Sequence, residues 1–128
     1  MKLLLDTHTA LWFWWNDPKL SKTARELIIL PTNQKFVSLA TPWEVAIKIN
    51  LGKIDLGTPI DEYFPSQMSM NCFSWLRMTI KHFLAVSQMP LHHRDPFDRM
   101  LIAQSMTENM LIVSADTAFD AYPVQRLW

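Results

Sequence analysis

The sequence predicts an α/β fold: a central, mainly parallel sheet of four to five strands with helices on both faces. Three observations lead there. Short apolar runs without polar alternation recur along the chain, as parallel strands buried on both faces require. Segments with helical periodicity separate them, several opened by Thr-Pro or Asp-Pro pairs. Acidic residues stand where a run ends or where the next helix begins. Regular alternation of strand and helix is the pattern of a parallel sheet covered on both sides.

Taken in order, Lys2 to Leu5 reads as the first strand, and Thr7 to Trp15 as a helix that Asn16-Asp17-Pro18 ends. Ser21 to Leu30 is a second helix, with Ala24, Leu27 and Ile28 on one face. Pro31-Thr32-Asn33 is a turn, and Lys35 to Leu39 the second strand. Thr41-Pro42-Trp43-Glu44 reads as the start of a helix that stops before Gly52, with Pro42 as its first residue. Thr58-Pro59 opens another, striped by Ile60, Tyr63 and Phe64. Cys72 to Leu76 is expected as the third strand, with Cys72 small and buried, and Thr79 to Ser87 as the helix after it. Asp95-Pro96 opens a long helix with Phe97, Leu101 and Ile102 facing inward. Leu111 to Ser114 is the fourth strand, and Val124 to Leu127 a short strand at an edge.

Length and composition restrict the function classes. A chain of 128 residues, 49% apolar with eight prolines and two glycines, supports one core and reads as a single domain over 1–128. Twelve basic and twelve acidic residues cancel, so no global charge marks a nucleic-acid binder, although a local basic rim is compatible with that balance. A lone cysteine excludes an internal disulfide framework and a cysteine-rich zinc site, and fits a reducing compartment. One lysine and three leucines before Asp6 are too short for a secretory core, and no apolar stretch approaches the roughly 20 residues needed to span a bilayer. A soluble, cytoplasmic protein is expected.

Four carboxylates carry the chemistry: Asp6, Glu44, Asp98 and Asp116. If the apolar runs are parallel strands, all four fall near the carboxyl edge of one sheet, where open α/β sheets place their sites. Each also has a purely structural reading. Thr41 to Glu44 matches a capping box, with Thr41 as the cap and Glu44 reaching back to its amide. Asp98 suits the positive end of a helix dipole, and Asp116 a turn or the cap of a short helix. Asp95 is better read as a helix cap than as a ligand. Asp6 resists dismissal, because packing alone rarely ends a buried strand in a charge. Four such acids at one edge repel one another unless a divalent cation sits among them. Oxygen donors without cysteine favour Mg²⁺ or Mn²⁺ over zinc. Such a cation polarises a phosphodiester and activates a bound water, so hydrolysis by in-line attack is the predicted reaction. With only Gly52 and Gly57 there is no phosphate-cradling loop, and no Ser/His/Asp or Cys/His set suggests a covalent nucleophile. An aspartyl-phosphate enzyme would want an acid two residues after Asp6, where His8 stands.

Accessory residues have two readings apiece. Arg94 and Arg99 flank the third acid and suit a phosphate backbone, or else a surface ion pair with Asp95 or Asp17. His92 and His93 precede that helix and either touch the phosphodiester substrate, which would be RNA under the resemblance given below, or are merely solvated. Lys48 and Lys53 form a basic rim, or Lys48 is only the i,i+4 partner of Glu44. Trp12, Trp14 and Trp15, with Leu11 and Phe13, make the first helix apolar nearly all round, which predicts that part of it meets another chain. The alternative leaves Trp12 and Trp15 in the core and Trp14 exposed.

Four blocks together resemble the PIN-domain family, and within it the VapC-type toxins. They are Leu3-Leu4-Leu5-Asp6-Thr7-His8-Thr9; Trp43-Glu44-Val45-Ala46-Ile47-Lys48 leading to Gly52-Lys53-Ile54; His92-His93-Arg94-Asp95-Pro96-Phe97-Asp98-Arg99 running on to Gln104; and Val113-Ser114-Ala115-Asp116. The resemblance implies a three-layer α/β/α sandwich. It further implies a Mg²⁺- or Mn²⁺-dependent endoribonuclease, toxin of a toxin–antitoxin pair, forming a homodimer and inhibited by a cognate antitoxin. It matches Asp6, Glu44, Asp98 and Asp116 to the family's acidic quartet, and Thr7 and Ser114 to its small hydroxyl positions beside the acids. A silent protein-binding module on the same fold and a DNA-directed metal-dependent nuclease are the competing functions.

Overall fold

Leu3, Leu4 and Leu5 are consecutive and wholly buried. Consecutive side chains of a strand point to opposite faces, so this requires a strand covered on both sides. The computed structural model, which describes residues 1–128, places them at the centre of a five-stranded, all-parallel sheet. The elements are β1 (Lys2–Leu5), α1 (Thr7–Trp14), α2 (Lys22–Ile29), β2 (Gln34–Ser38), α3 (Ala40–Asn50) and α4 (Ile60–Met70). They continue as β3 (Ser74–Leu76), α5 (Ile80–Gln88), α6 (Pro96–Glu108), β4 (Leu111–Val113), a 3₁₀ turn (Thr117–Ala121) and β5 (Arg126–Leu127). The strand order is β3-β2-β1-β4-β5, with Leu5 paired to Val37 on one side and Val113 on the other.

Alternation inside each strand divides the core. Leu3, Leu5, Val37 and Val113 share one cluster with Ala10 of α1, Ala24 and Ile28 of α2, and Met68 of α4. Leu4 and Ile112 face the other way, against Leu101, Ile102 and Ala103 of α6, with Phe119 and Tyr122 closing the end. The architecture is therefore helices, sheet, helices, as expected. A third, smaller cluster of Leu11, Val45 and Phe64 ties α1, α3 and α4 together beyond the sheet edge. No helix is long and apolar enough to cross a membrane.

Four expectations need correction. Cys72 is exposed, has a left-handed backbone (φ 56°) and lies in the turn before β3 rather than within it. The short loop from α4 into β3 needs that reversal, which outweighs the residue's preference for burial. Thr41 caps nothing: α3 already begins at Ala40 with Leu39 as its cap, and the Ser38 hydroxyl accepts the Ala40 amide at 3.1 Å. Pro42 is tolerated as the third helical residue because first-turn amides lack helical partners anyway. Ser114 lies just past β4, although its amide still donates to the Leu127 carbonyl at 3.1 Å.

The last correction concerns the tryptophans of α1. Trp14 packs edge-on to Tyr63 and Phe64 and lies 5.7 Å from Phe73, so α4 and the connection before β3 absorb it; Trp15 is the exposed one. The large exposed apolar side chains gather instead on α3 and α5: Trp43, Ile47, Ile80, Phe83 and Leu84, with Leu91 beyond α5. Trp43, Phe83 and Leu91 line an apolar cleft of about 720 Å³ beside the start of α6.

Candidate metal centre

β1 and β4 are neighbours in the sheet, but the chain leaves β1 for β2 on the opposite side. Their carboxyl ends thus flank the point where the strand order reverses, a natural crevice. Asp6 leaves β1 there and caps α1, Oδ1 accepting the Thr9 amide at 2.8 Å. The Ser114 hydroxyl, arriving from the end of β4, donates to its other oxygen. Thr9 fastens the two strand ends together by donating its hydroxyl to the Val113 carbonyl at 2.9 Å. Asp6 is nearly buried, and burial pushes its carboxyl above the usual carboxylate range despite the hydrogen bonds from Ser114 and Thr9.

Glu44 comes from α3, one turn inside its start, and is also buried. The Thr7 hydroxyl donates to Oε1 at 2.6 Å, and Lys48 Nζ pairs with Oε2 at 2.6 Å. The capping-box reading of Glu44 therefore fails, whereas the i,i+4 pairing of Lys48 is present. Thr7 and Ser114 thus each stand beside a carboxylate and donate to it.

The third and fourth acids arrive with a histidine. Asp95 caps α6, Oδ1 accepting the amides of Phe97 at 2.8 Å and Asp98 at 3.2 Å, which is the role read for it from sequence. That cap turns Asp98 toward the crevice. Asp116 Oδ1 accepts the Ala118 amide at 2.9 Å and so caps the 3₁₀ turn, while its own amide donates to Ser114 Oγ at 3.0 Å. His93 Nε2 lies 2.9 Å from Asp98 Oδ2 and 3.9 Å from Asp116 Oδ2. His93, Asp98 and Asp116 each bring a possible ligand atom within 4.8 Å of the others.

Asp98 reports the crowding. Its carboxyl is pushed from an ordinary 3.8 up to about 7, first by burial, then by the negative charges of Asp95, Asp6, Glu44 and Asp116. Asp98 and Asp116 therefore share one cluster with His93, and Asp6 and Glu44 lie close enough to Asp98 to act on it electrostatically. The donor set is oxygen-rich, partly buried and short of positive charge, with Lys48 committed to Glu44. Such a set fits a hard divalent cation. His93 supplies the nitrogen nearest the cluster, whereas the sequence offered it as an RNA contact or a solvated loop residue and not as a neighbour of the acids. Its membership depends on how the loop before α6 folds, and only its closeness to Asp95-Pro96 hinted at it.

Arg94 and Arg99 part company. Arg94 is exposed at the rim of the apolar cleft. Arg99 is buried, its guanidinium taken up by acceptors of the protein itself. Nη1 donates to the carbonyls of Pro90 at 3.0 Å and His93 at 3.2 Å and to the Tyr122 hydroxyl at 3.2 Å, and Nη2 to Val86 at 3.1 Å and Met89 at 3.4 Å. A guanidinium so placed closes the carboxyl end of α5 and holds the loop that carries His93. The phosphate-contact and surface-pair readings of Arg99 are both set aside.

An all-parallel α/β protein with an acidic crevice at its topological reversal is a recognisable class. The PIN-domain model matches residues 3–125, and the chain belongs to that family. No curated protein matches it significantly. Solved structures share the fold at low identity. VapBC from Salmonella typhimurium bound to DNA has a TM-score of 0.71 at 17% identity, covering 99% of this chain and 97% of that one. VapBC2 from Rickettsia felis, bound to a promoter fragment, has 0.68 at 13%, covering 99% and 98%. FitAcB from Neisseria gonorrhoeae has 0.67 at 15%, covering 98% and 96%.

Proposed function

We propose that this chain is a divalent-cation-dependent endoribonuclease, cutting RNA phosphodiester bonds as the toxin of a toxin–antitoxin pair in the cytoplasm. The observation that supports it most is the gathering of acids around Asp98, whose proton affinity rises first through burial and then through the negative charges of Asp95, Asp6, Glu44 and Asp116. Asp6, Asp98 and Asp116 would hold Mg²⁺ or Mn²⁺, with Glu44 beside them. When bound, the cation supplies charge neutralisation at the scissile phosphate and an acidified water. The chain's own residues do the rest. Ser114 and Thr9 fix the Asp6 carboxylate, Thr7 and Lys48 fix that of Glu44, and Asp95 sets the start of α6 so that Asp98 faces the crevice. Lys48, paired with Glu44, and Arg94, exposed on the loop before α6, are the cations offered to the RNA backbone, with Lys48 first giving up its hold on Glu44. The choice of RNA over DNA follows from the resemblance to VapC-type toxins.

Purified protein with Mn²⁺ is expected to cleave a pool of folded tRNAs and not single-stranded DNA, and to lose cleavage in EDTA and in Asp6→Asn. Cleavage that survives chelation, or DNA cut in preference to RNA, would sink this reading.

Two protein partners are proposed with it, a second copy of the chain and a cognate antitoxin, in keeping with the toxin–antitoxin complexes that share the fold. The apolar surface on α3 and α5 is suited to such a partner. Placing charge there by Phe83→Glu together with Ile80→Glu should lower the molar mass seen by light scattering. An unchanged assembly would move the interface elsewhere.

A further inference from the structure

His93 shows an asymmetry between its two ring nitrogens. The Asp95 amide donates to Nδ1 at 3.1 Å. A backbone N–H can only donate, so Nδ1 must carry a lone pair, and the ring proton of the neutral imidazole resides on Nε2. Nε2 is buried beside Asp98 and Asp116, 2.9 Å from one carboxylate oxygen and 3.9 Å from the other. Its N–H is not aligned on either, so it stands without a hydrogen-bond partner in an acidic crevice. Proximity alone would make His93 a ligand with the two aspartates. Its tautomer argues otherwise, because histidines that bind a metal through one nitrogen donate from the other, and here the other nitrogen accepts.

We propose that His93 is a positioning residue of the acidic site rather than a ligand: the Asp95 amide keeps the proton on Nε2, and Nε2–H, 2.9 Å from Asp98 Oδ2 but off-line in this structure, turns onto that oxygen when the other oxygen of Asp98 takes a cation. This rests on the divalent-cation reading of the crevice. A carboxylate ligand steadied by a hydrogen bond is the usual outer-shell arrangement, and its loss typically weakens metal binding 10- to 100-fold by the general range. Arg99 and Tyr122 support the arrangement from behind. Arg99 binds the His93 carbonyl, and the Tyr122 hydroxyl accepts the His93 amide at 2.9 Å. Asp95 therefore has two roles, capping α6 through its carboxylate and fixing the His93 ring through its amide.

The test combines ring ¹⁵N spectroscopy with Mn²⁺ titration followed by the electron-spin signal of free Mn²⁺. In the metal-free protein, His93 is expected as the Nε2-protonated tautomer, and diamagnetic Mg²⁺ should leave Nε2 protonated. His93→Asn keeps an acceptor for the Asp95 amide but is too short to reach Asp98, and should weaken Mn²⁺ binding about tenfold. His93→Gln, which carries a donor to the position of Nε2, should recover most of that loss. An Nδ1-protonated ring, loss of the Nε2 proton on adding Mg²⁺, or equal Mn²⁺ binding by His93→Asn and the unsubstituted chain overturns the proposal while leaving the cation reading intact. Failure of the unsubstituted chain to bind Mn²⁺ overturns both.

Discussion

Asp98→Asn is expected to make the metal-free protein more stable at pH 8 and to abolish cleavage. The folded Asp98 carboxyl titrates at about 7 against an ordinary 3.8, so the folded chain holds this proton more tightly than the unfolded chain does. The stability it contributes is complete below pH 4 and is lost as the pH rises through 7. Asn carries no charge at any pH, so its advantage is absent at pH 4 and complete near pH 8. The interval between the two values sets a ceiling of about 4 kcal/mol. Partial exposure to solvent reduces the expectation to about 2 kcal/mol, or roughly 6–10 °C in melting temperature for a domain of this size. Saturating Mn²⁺ should reverse the ranking, because ligand at a hundredfold excess over its dissociation constant adds about 2.7 kcal/mol to the unsubstituted chain and little to the variant. Activity should fall by at least about 100-fold, more than the loss of an outer partner would produce. Thermal melts at pH 4, 6 and 8, with EDTA and with Mn²⁺, read the whole pattern. A variant less stable than the parent at pH 8 in EDTA would mean that the acids do not repel as their placement requires.

Arg99→Met is expected to destabilise the fold by about 3–5 kcal/mol, because it removes the donors from a cluster of buried acceptors. Four backbone carbonyls and the Tyr122 hydroxyl meet the guanidinium. Methionine fills much of the volume and satisfies none of them. Arg99→Lys should recover only part of the loss, since one ammonium cannot match a planar fork that reaches both the end of α5 and the following loop. Urea unfolding measures the change. A loss under about 1 kcal/mol would show that water replaces the guanidinium freely and that the loop has other anchors. Hydrogen exchange should also quicken at the amides of His93 and Asp95, whose acceptors belong to this loop and to Tyr122.

The positions of the acids were legible because local chemistry dictates them. A buried triplet of leucines that ends in Asp6 announces a strand terminus with a purpose, and Asp95-Pro96 announces the start of α6. Parallel pairing then brings Asp6 and Asp116 to the same edge, since β1 and β4 run in one direction side by side. What escaped the sequence depends on contacts across long separations or on loop geometry. Thr41-Pro42 has the form of a cap, but Ser38 already satisfies the Ala40 amide and α3 starts earlier. Arg99 lies between Asp98 and Met100 and looks available for phosphate, until the loop after α5 folds over it. Trp14 looks free on a helix apolar all round, but α4 supplies Tyr63 and Phe64 to enclose it. The role of His93 is set by an amide two residues onward, which no spacing rule conveys.

The central place of β1 also has a consequence for the chain as it is made. β1 is translated before the other strands, yet it receives its neighbour β4 only from residues 111–113, and Asp6 meets its hydroxyl partner only at Ser114. A ribosome that has just completed α5 has therefore delivered three of the five strands but neither Ser114 nor Asp116. Until then the leucines of β1 have one flank unpaired, and folding waits on a contact separated by 108 positions. The acidic crevice is incomplete on any chain cut short before Asp116, so the activity proposed for it is withheld until all but the last dozen residues have been made.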